Sequence, residues 1–238
     1  MAIRDPLGAD APHNPVSRIT EASRLLGHQF KQPSLLMEAL THRSAAGAKG
    51  VGSNERLEFI GDRVLGLIIA EWLIERFPDE QEGKLGPRLA ALVSKPALAA
   101  IAEAHNVGEM LFVAPGEARR GVSLQANVLA DAVEAMIGAL FLDAGLEAAK
   151  LFIHRVLASA VEAQAAPPKD PKTALQEWAL KRSLPLPSYQ VLDQSGPSHA
   201  PQFVISVTIG DASAKATAGA KRAAEQEAAR NLLGILPK

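Results

Sequence analysis

The stretch Asn54-Glu-Arg-Leu-Glu-Phe-Ile-Gly-Asp62 decides how this chain is interpreted. Its acids Glu55, Glu58 and Asp62 stand at positions i, i+3 and i+7. On a helix this spacing places them along one face, with neighbouring Cβ atoms about 5–6 Å apart. Apolar residues continue at helical spacing and stop at Phe77, before Pro78, which predicts one long helix over 55–77.

A second acidic pair lies in Leu129-Ala-Asp-Ala-Val-Glu-Ala-Met-Ile137, where Asp131 and Glu134 repeat the i, i+3 step. Carboxylates held together in apolar surroundings repel one another unless a cation neutralises them. Oxygen ligands without His or Cys favour Mg²⁺, with Mn²⁺ as a plausible substitute, over zinc. The pattern indicates a divalent-metal site. The alternative is that these acids only form the solvated face of two helices.

The clearest domain boundary is the segment Ala163–Pro171, in which Pro-Pro and Asp-Pro predict an extended linker. We predict a flexible tail over 1–16, an all-α domain over 17–162, a linker over 163–170 and a small domain over 171–238. The further predicted helices of the first domain are 17–26, 33–41, 86–105, 125–143 and 146–164.

The small domain changes from helical to strand periodicity. Residues 202–209 alternate apolar and polar side chains, which is typical of a strand with one buried face. Shorter strands are predicted over 189–193 and 211–218, between helices over 171–182 and 220–233. The order α-β-β-β-α predicts a small α+β domain with two helices on one face of a three-stranded sheet.

The charge distribution is uneven along the chain. The 238 residues carry 25 basic and 26 acidic side chains, a net charge of −1 that at first argues against a nucleic-acid partner. Residues 1–164 have 16 basic and 20 acidic side chains, a net charge of −4. Residues 165–238 have 9 basic and 6 acidic side chains, a net charge of +3. The small domain therefore carries the basic excess.

Several functional classes are excluded by residue types and motifs. The absence of cysteine rules out disulfides, thiolate zinc sites and cysteine nucleophiles. Gly116-x₄-Gly121 is followed by Val122 rather than Lys, so we predict no nucleotide cofactor. The six histidines form no zinc motif, and His42 is expected to be packed or hydrogen-bonded rather than a ligand. The longest apolar run, 64–70, is too short to span a membrane. We predict a soluble cytoplasmic protein without a membrane partner.

The acidic motifs resemble those of bacterial ribonuclease III. The nonapeptide 54–62 is similar to that family's signature, and 129–138 is similar to its second acidic motif. Further matches are Thr41-His-Arg-Ser44, Phe77-Pro with Glu82-Gly83, and Pro115-Gly-Glu117. The small domain resembles the double-stranded-RNA-binding domain of that family through Asp170-Pro-Lys-Thr-Ala-Leu-Gln176, Gly196-Pro-Ser-His199 and Lys221-Arg-Ala-Ala-Glu225.

The resemblance implies an endoribonuclease that cleaves double-stranded RNA with two Mg²⁺ ions, leaving 5′-phosphate and 3′-hydroxyl ends. It implies metal ligation by Glu58, Asp62, Asp131 and Glu134, with Asp62 and Glu134 also catalytic. Glu55 and Glu82 match two further acids near the cleavage site. The family's nuclease domain is a homodimer, for which Phe59 and Ile60 are candidate contacts; packing within one subunit is the alternative for both.

The resemblance also implies RNA contacts in the small domain. Lys221 and Arg222 match residues that contact phosphates across the major groove, while Thr173, Gln176 and His199 match residues that reach minor grooves. Duplex RNA is bound through phosphates and 2′-hydroxyls rather than by base stacking, so the chain's ten aromatic residues are no objection. Ala220 stands where the family commonly has a Ser whose hydroxyl caps the last helix, which predicts slightly weaker phosphate binding.

Two other functions compete with a duplex-RNA endonuclease. A non-catalytic duplex-RNA binder with a retained nuclease fold would have lost one of the four predicted metal carboxylates, and none is lost here. A purely structural helical dimer would leave the spacing of the acids unexplained. The role of Arg63 stays open, because its charge could pair with a neighbouring acid or face RNA. The pair Arg119-Arg120 is expected in a loop near the path of the substrate, where it would add to the modest basic excess of the small domain.

Overall fold

The computed structural model describes residues 14–47, 50–164, 166–168, 170–197 and 201–237. The chain divides into two compact units, Met1–Pro167 and Pro168–Lys238. Each unit has its own hydrophobic core. The tail predicted over 1–16 falls largely outside the described residues, which begin with Asn14, the cap of the first helix.

The first unit is helical, as predicted. Its nine described α-helices are α1 Pro15–Leu26, α2 Pro33–Ala39, α3 Glu55–Arg76, α4 Glu82–Leu92, α5 Lys95–Ala104, α6 Val107–Met110, α7 Pro115–Arg119, α8 Ala126–Ala144 and α9 Leu146–Glu162. Helix α8 is buried at most of its positions and contacts α2, α3, α5, α6 and α9. It is therefore the centre around which the other helices pack.

Helices α3 and α8 cross at two glycines. A Cβ atom added to Gly61 would lie 1.8 Å from the backbone oxygen of Glu134, and one added to Gly138 would lie 2.2 Å from the backbone oxygen of Leu57. Contacts this short exclude any side chain, so the two backbones touch directly. The crossing brings the acidic face of α3 against the acidic pair of α8.

The prediction of one helix over 86–105 was wrong. The structure has two helices there, because Ser94 begins a new one: its extended backbone breaks the first helix, and its hydroxyl accepts a hydrogen bond from the Ala97 N–H at 3.4 Å. Pro96 occupies the first turn of α5, where it costs no hydrogen bond. Apolar periodicity runs through this break and hides it in the sequence.

The second unit has the predicted α-β-β-β-α order. It consists of α10 Pro171–Leu180, β1 Ser188–Ser195, β2 Gln202–Ile209, β3 Ala212–Ala218 and α11 Lys221–Ile235. The strands pair antiparallel in the order β1-β2-β3, with a register shift between Val191 and Asp193. Ile205, Val207 and Ile209 point from β2 into the core beneath the two helices.

No single described helix is both long and apolar enough to cross a membrane. Helices α4 and α5, bent by 42° to each other, pass that test only when they are counted together.

Candidate metal centre and nucleic-acid interface

The α3–α8 crossing brings three of the predicted carboxylates together. One carboxylate oxygen each from Glu58, Asp131 and Glu134 lies within 4.8 Å of the others. Glu134 is only 8% exposed, and the other two are half-buried. Such a set of converging oxygens, largely removed from water, can hold one divalent cation.

The electrostatics of this carboxylate cluster favour a bound cation. Burial, together with the charges of Asp62, Glu58 and Asp131, raises the pKa of Glu134 to about 7. Burial and the charge of Asp131 also raise the pKa of Glu58 above its usual range. Both shifts mean that negative charge is costly here until positive charge is supplied.

The fourth predicted ligand, Asp62, lies beside the cluster but not within it. Its carboxylate pairs with the guanidinium of its neighbour Arg63, which also lies over the Phe59 ring at 4.6 Å from the centroid. In this structure Arg63 thus pairs with an acid, one of the two roles predicted for it, and contact with RNA stays a prediction. Asp62 is still close enough for its charge to raise the pKa of Glu134.

Lys95 was missed by the sequence reasoning. It begins α5, and its Nζ lies 2.8 Å from Oδ1 of Asp131. The hydrogen bond to Asp131 and the charges of the carboxylates raise the pKa of this lysine. No sequence signal could have found it, because it is 36 residues from its partner along the chain.

The two secondary acids take different positions. Glu55 begins α3, accepts a hydrogen bond from the Ser53 hydroxyl at 2.8 Å, and lines a cavity of about 410 Å³ with Glu58 and Asp131. Glu82 begins α4, is exposed, and is not among the residues that line this cavity. Within the described part of one chain, the structure does not bring Glu82 to the cluster.

The second unit presents four of the five predicted RNA-contacting residues on one groove. Thr173 and Gln176 from α10 and Lys221 and Arg222 from the first turn of α11 all line it. Asp170 caps α10 by accepting from the N–H groups of Lys172 and Thr173, at 2.9 and 3.2 Å. It also accepts from the Gln226 amide at 2.8 Å, which ties the two helices together. His199, the fifth residue, lies outside the described residues.

Two family comparisons match these two units. Residues 32–161 match the family described as "Ribonuclease-III-like", and residues 171–236 match "Double-stranded RNA binding motif". The first match covers more than half of the chain. The chain belongs to the ribonuclease III family.

Named relatives extend the match over most of the chain. A protein named Ribonuclease 3 from Dinoroseobacter shibae is 48% identical over 87% of this chain and 91% of its own length. Ribonuclease 3 from Caulobacter vibrioides is 45% identical over 92% of this chain and 96% of its own. The solved nuclease domain of ribonuclease III from Campylobacter jejuni has a TM-score of 0.56 and 38% identity, covering 59% of this chain and 96% of that one. This member of the ribonuclease III family is an endoribonuclease.

One departure of this ribonuclease III chain from the family pattern has a visible consequence. Ala220 is the N-cap of α11 and makes no side-chain capping bond. The first N–H groups of α11 are therefore not capped by the side chain at that position, and they adjoin the basic pair Lys221 and Arg222. Free N–H groups at a helix start bind anions. The slightly weaker phosphate binding expected from the missing Ser stays a prediction.

Proposed function

We propose that this chain is a Mg²⁺-dependent endoribonuclease that hydrolyses double-stranded RNA to 5′-phosphate and 3′-hydroxyl ends. It acts in the cytoplasm on ribosomal RNA and other structured precursors. The observation that carries the proposal is the cluster of Glu58, Asp131 and Glu134, on one chain with a double-stranded RNA binding motif. The rival, a binder without catalysis, would not need three converging carboxylates, one buried and two half-buried, held together at an electrostatic cost.

The donor set fits the proposed metal. It consists of carboxylate oxygens alone, which suits Mg²⁺ or Mn²⁺, and the raised pKa of Glu134 is consistent with a site that a cation would neutralise. Glu58, Asp131 and Glu134 would hold the ion, and Asp62 would complete the site after leaving Arg63. When bound, two such ions activate a water and stabilise the leaving oxygen.

A panel of substrates tests the proposed function. We expect long duplex RNA to be cut in Mg²⁺ and left intact in EDTA, while single-stranded RNA and duplex DNA survive in both. Mass spectrometry of the fragments should show 5′-phosphates. Cleavage of single-stranded RNA at a similar rate, or cleavage in EDTA, would contradict the proposal.

We propose that the nuclease unit forms a homodimer through α3. Phe59, Leu67 and Ile74 are 64, 59 and 61% exposed and share one side of this helix. Large apolar side chains exposed along one helix face are typical of a protein interface. The solved Campylobacter jejuni nuclease domain is described as flexible in a region involved in dimer formation, which supports the same arrangement here. Of the two predicted contacts, Phe59 is exposed, while Ile60 packs against the subunit's own core.

Replacing Phe59 and Leu67 by aspartate should convert the dimer to a monomer, because the two charges would be buried against the partner. Light scattering coupled to size exclusion measures the mass directly. Leu151→Asp, on an exposed leucine of α9, is the control and should stay dimeric. A dimer that survives both α3 substitutions would rule out this face.

The double variant Lys221→Ala with Arg222→Ala should weaken duplex RNA binding and flatten its salt dependence. Each lost phosphate contact lowers the slope of log K against log salt by about 0.7–0.9, so the slope should fall by up to about 2. The control variant Lys181→Ala with Arg230→Ala removes the same charge away from the groove and should keep the wild-type slope. Equal slopes for all three proteins would remove Lys221 and Arg222 from the contact surface.

A further inference from the structure

The hydrogen bonds of His42 determine which ring nitrogen carries the proton. Its Nδ1 accepts a hydrogen bond from the Ser44 backbone N–H at 3.2 Å and lies 2.8 Å from the Ser44 hydroxyl. An amide N–H can only donate, so Nδ1 must be the unprotonated nitrogen. The proton of the neutral ring is therefore on Nε2, at the opposite side of the ring. The prediction that His42 is hydrogen-bonded is confirmed.

The surrounding backbone holds this ring in place. The His42 N–H donates to the Phe112 carbonyl at 3.0 Å, and the Phe112 N–H donates to the Leu40 carbonyl at 2.8 Å. The Ser44 hydroxyl in turn accepts from the Ala114 N–H at 3.2 Å. Because both His42 and Ser44 are tied to residues 112–114, Nε2–H is a donor whose direction is set before any ligand binds.

The His42 side chain borders a ligand-sized space. His42 lines the 410 Å³ cavity that Glu58 and Asp131 also line, and no described residue accepts a hydrogen bond from its Nε2. Burial, helped by the charge of Arg43, lowers the pKa of His42, although Glu117, Glu55 and Asp131 oppose this shift. This shift favours the neutral ring, in which Nε2–H is a hydrogen-bond donor.

We propose that His42 contacts the substrate by donating from Nε2 to an oxygen of the RNA backbone next to the phosphate that is cut. The proposal rests on the proposed function. The acceptor is either a phosphate oxygen or a ribose 2′-hydroxyl, since both accept from an N–H group. A fixed donor that forms its bond as charge develops on the substrate lowers the barrier without reorganisation. Ser44 acts through His42, as a positioning residue.

Two substitutions separate this role from a structural one. His42→Asn places an amide oxygen near the position of Nδ1, so it keeps the bond from the Ser44 N–H and loses the donor at Nε2. His42→Gln places an amide N–H near the position of Nε2 and loses the Nδ1 acceptor. We expect single-turnover cleavage of duplex RNA to fall about 10- to 100-fold in His42→Asn and less in His42→Gln. A structural role predicts the reverse order, with the thermal midpoint lowered more in His42→Gln.

A cycle with modified substrates identifies the acceptor. Short duplexes carry either one 2′-deoxyribose or one methylphosphonate at each position flanking the cut. On the duplex that lacks the accepting oxygen, His42→Asn and wild type should cleave at rates within about twofold of each other. The modification that has this effect identifies the acceptor as the ribose hydroxyl or the phosphate. Undiminished losses on every modified duplex would overturn the proposal. If His42→Asn does not fold, His42→Ala, which also lacks the Nε2 donor, replaces it in the cycle.

The controls keep the two proposals apart. If the wild-type chain does not cut duplex RNA in Mg²⁺, the proposed function fails. If the wild-type chain cuts and His42→Asn cuts equally fast, only the proposal for His42 fails.

Discussion

Replacing Glu134 by glutamine should abolish RNA cleavage in Mg²⁺ while duplex binding stays within about twofold of wild type. The side chain keeps its shape but loses the charge that would hold the metal. We expect the single-turnover rate to fall roughly 10³-fold or more, equivalent to about 4 kcal/mol of lost transition-state stabilisation. Binding should survive because the groove proposed to bind RNA belongs to the second unit, which has its own core.

The same substitution should make the metal-free protein more stable at high pH. Folding raises the pKa of Glu134 from 4.5 to about 7, so the folded state favours the protonated form. The stabilisation that the fold gains from protonated Glu134 is fully present below pH 4.5 and is lost as pH rises through 7. At pH 8 in EDTA, the free energy of unfolding of Glu134→Gln should therefore be about 1–3 kcal/mol higher than that of wild type. Near pH 4 the two proteins should have the same free energy of unfolding.

The control for both measurements is Glu103→Gln, on an exposed acid of α5. It should cut RNA and unfold as wild type does. Wild-type cleavage by Glu134→Gln would exclude Glu134 from the proposed site. If Glu134→Gln showed no gain in metal-free stability at pH 8, the destabilising effect expected from the ionised Glu134 carboxylate would be excluded.

The sequence predicted those features that depend on local spacing. Helix α3 was predicted over 55–77 and is observed over Glu55–Arg76, and all five elements of the second unit were predicted in order. The i, i+3 spacing predicted which face of each helix carries the acids, and the resemblance to ribonuclease III implied that the acids of α3 and α8 share one site. Which of them share one cation depends on the crossing, and the structure groups Glu58, Asp131 and Glu134 while pairing Asp62 with Arg63.

Features set by tertiary contact could not be predicted. Lys95 reaches Asp131 only because α5 packs against α8, and nothing in its neighbouring residues indicates this. The tautomer of His42 depends on the folded turn at Ser44 and on Ala114, 72 residues away along the chain. The break between α4 and α5 was missed because Ser94 and Pro96 form a helix start within an unbroken apolar pattern.

Replacing Gly61 by alanine should destabilise the first unit and abolish cleavage together. The added Cβ would lie 1.8 Å from the backbone oxygen of Glu134, so α3 and α8 must separate by more than 1 Å. We expect the free energy of unfolding to fall by about 3 kcal/mol or more, at the upper end of overpacking effects. Cleavage should fall at least roughly 100-fold, since a shift of about 1 Å in reacting groups has that cost.

The expectation for Gly61 rests on steric contact and not on helix propensity, which acts in the opposite direction. Alanine is favoured over glycine in a helix by about 1 kcal/mol, so an uncrowded glycine provides the matched control. Gly83, in the first turn of α4, has no atom within 4 Å of its added Cβ, and Gly83→Ala should be neutral or slightly stabilising. Gly138→Ala introduces the same steric conflict from α8 and should reproduce the Gly61→Ala result.

Chemical denaturation measures the stability of these variants, and single-turnover cleavage measures their activity. If Gly61→Ala were as stable and active as Gly83→Ala, the two backbones could not lie in contact, and the crossing could not be what assembles the carboxylate cluster.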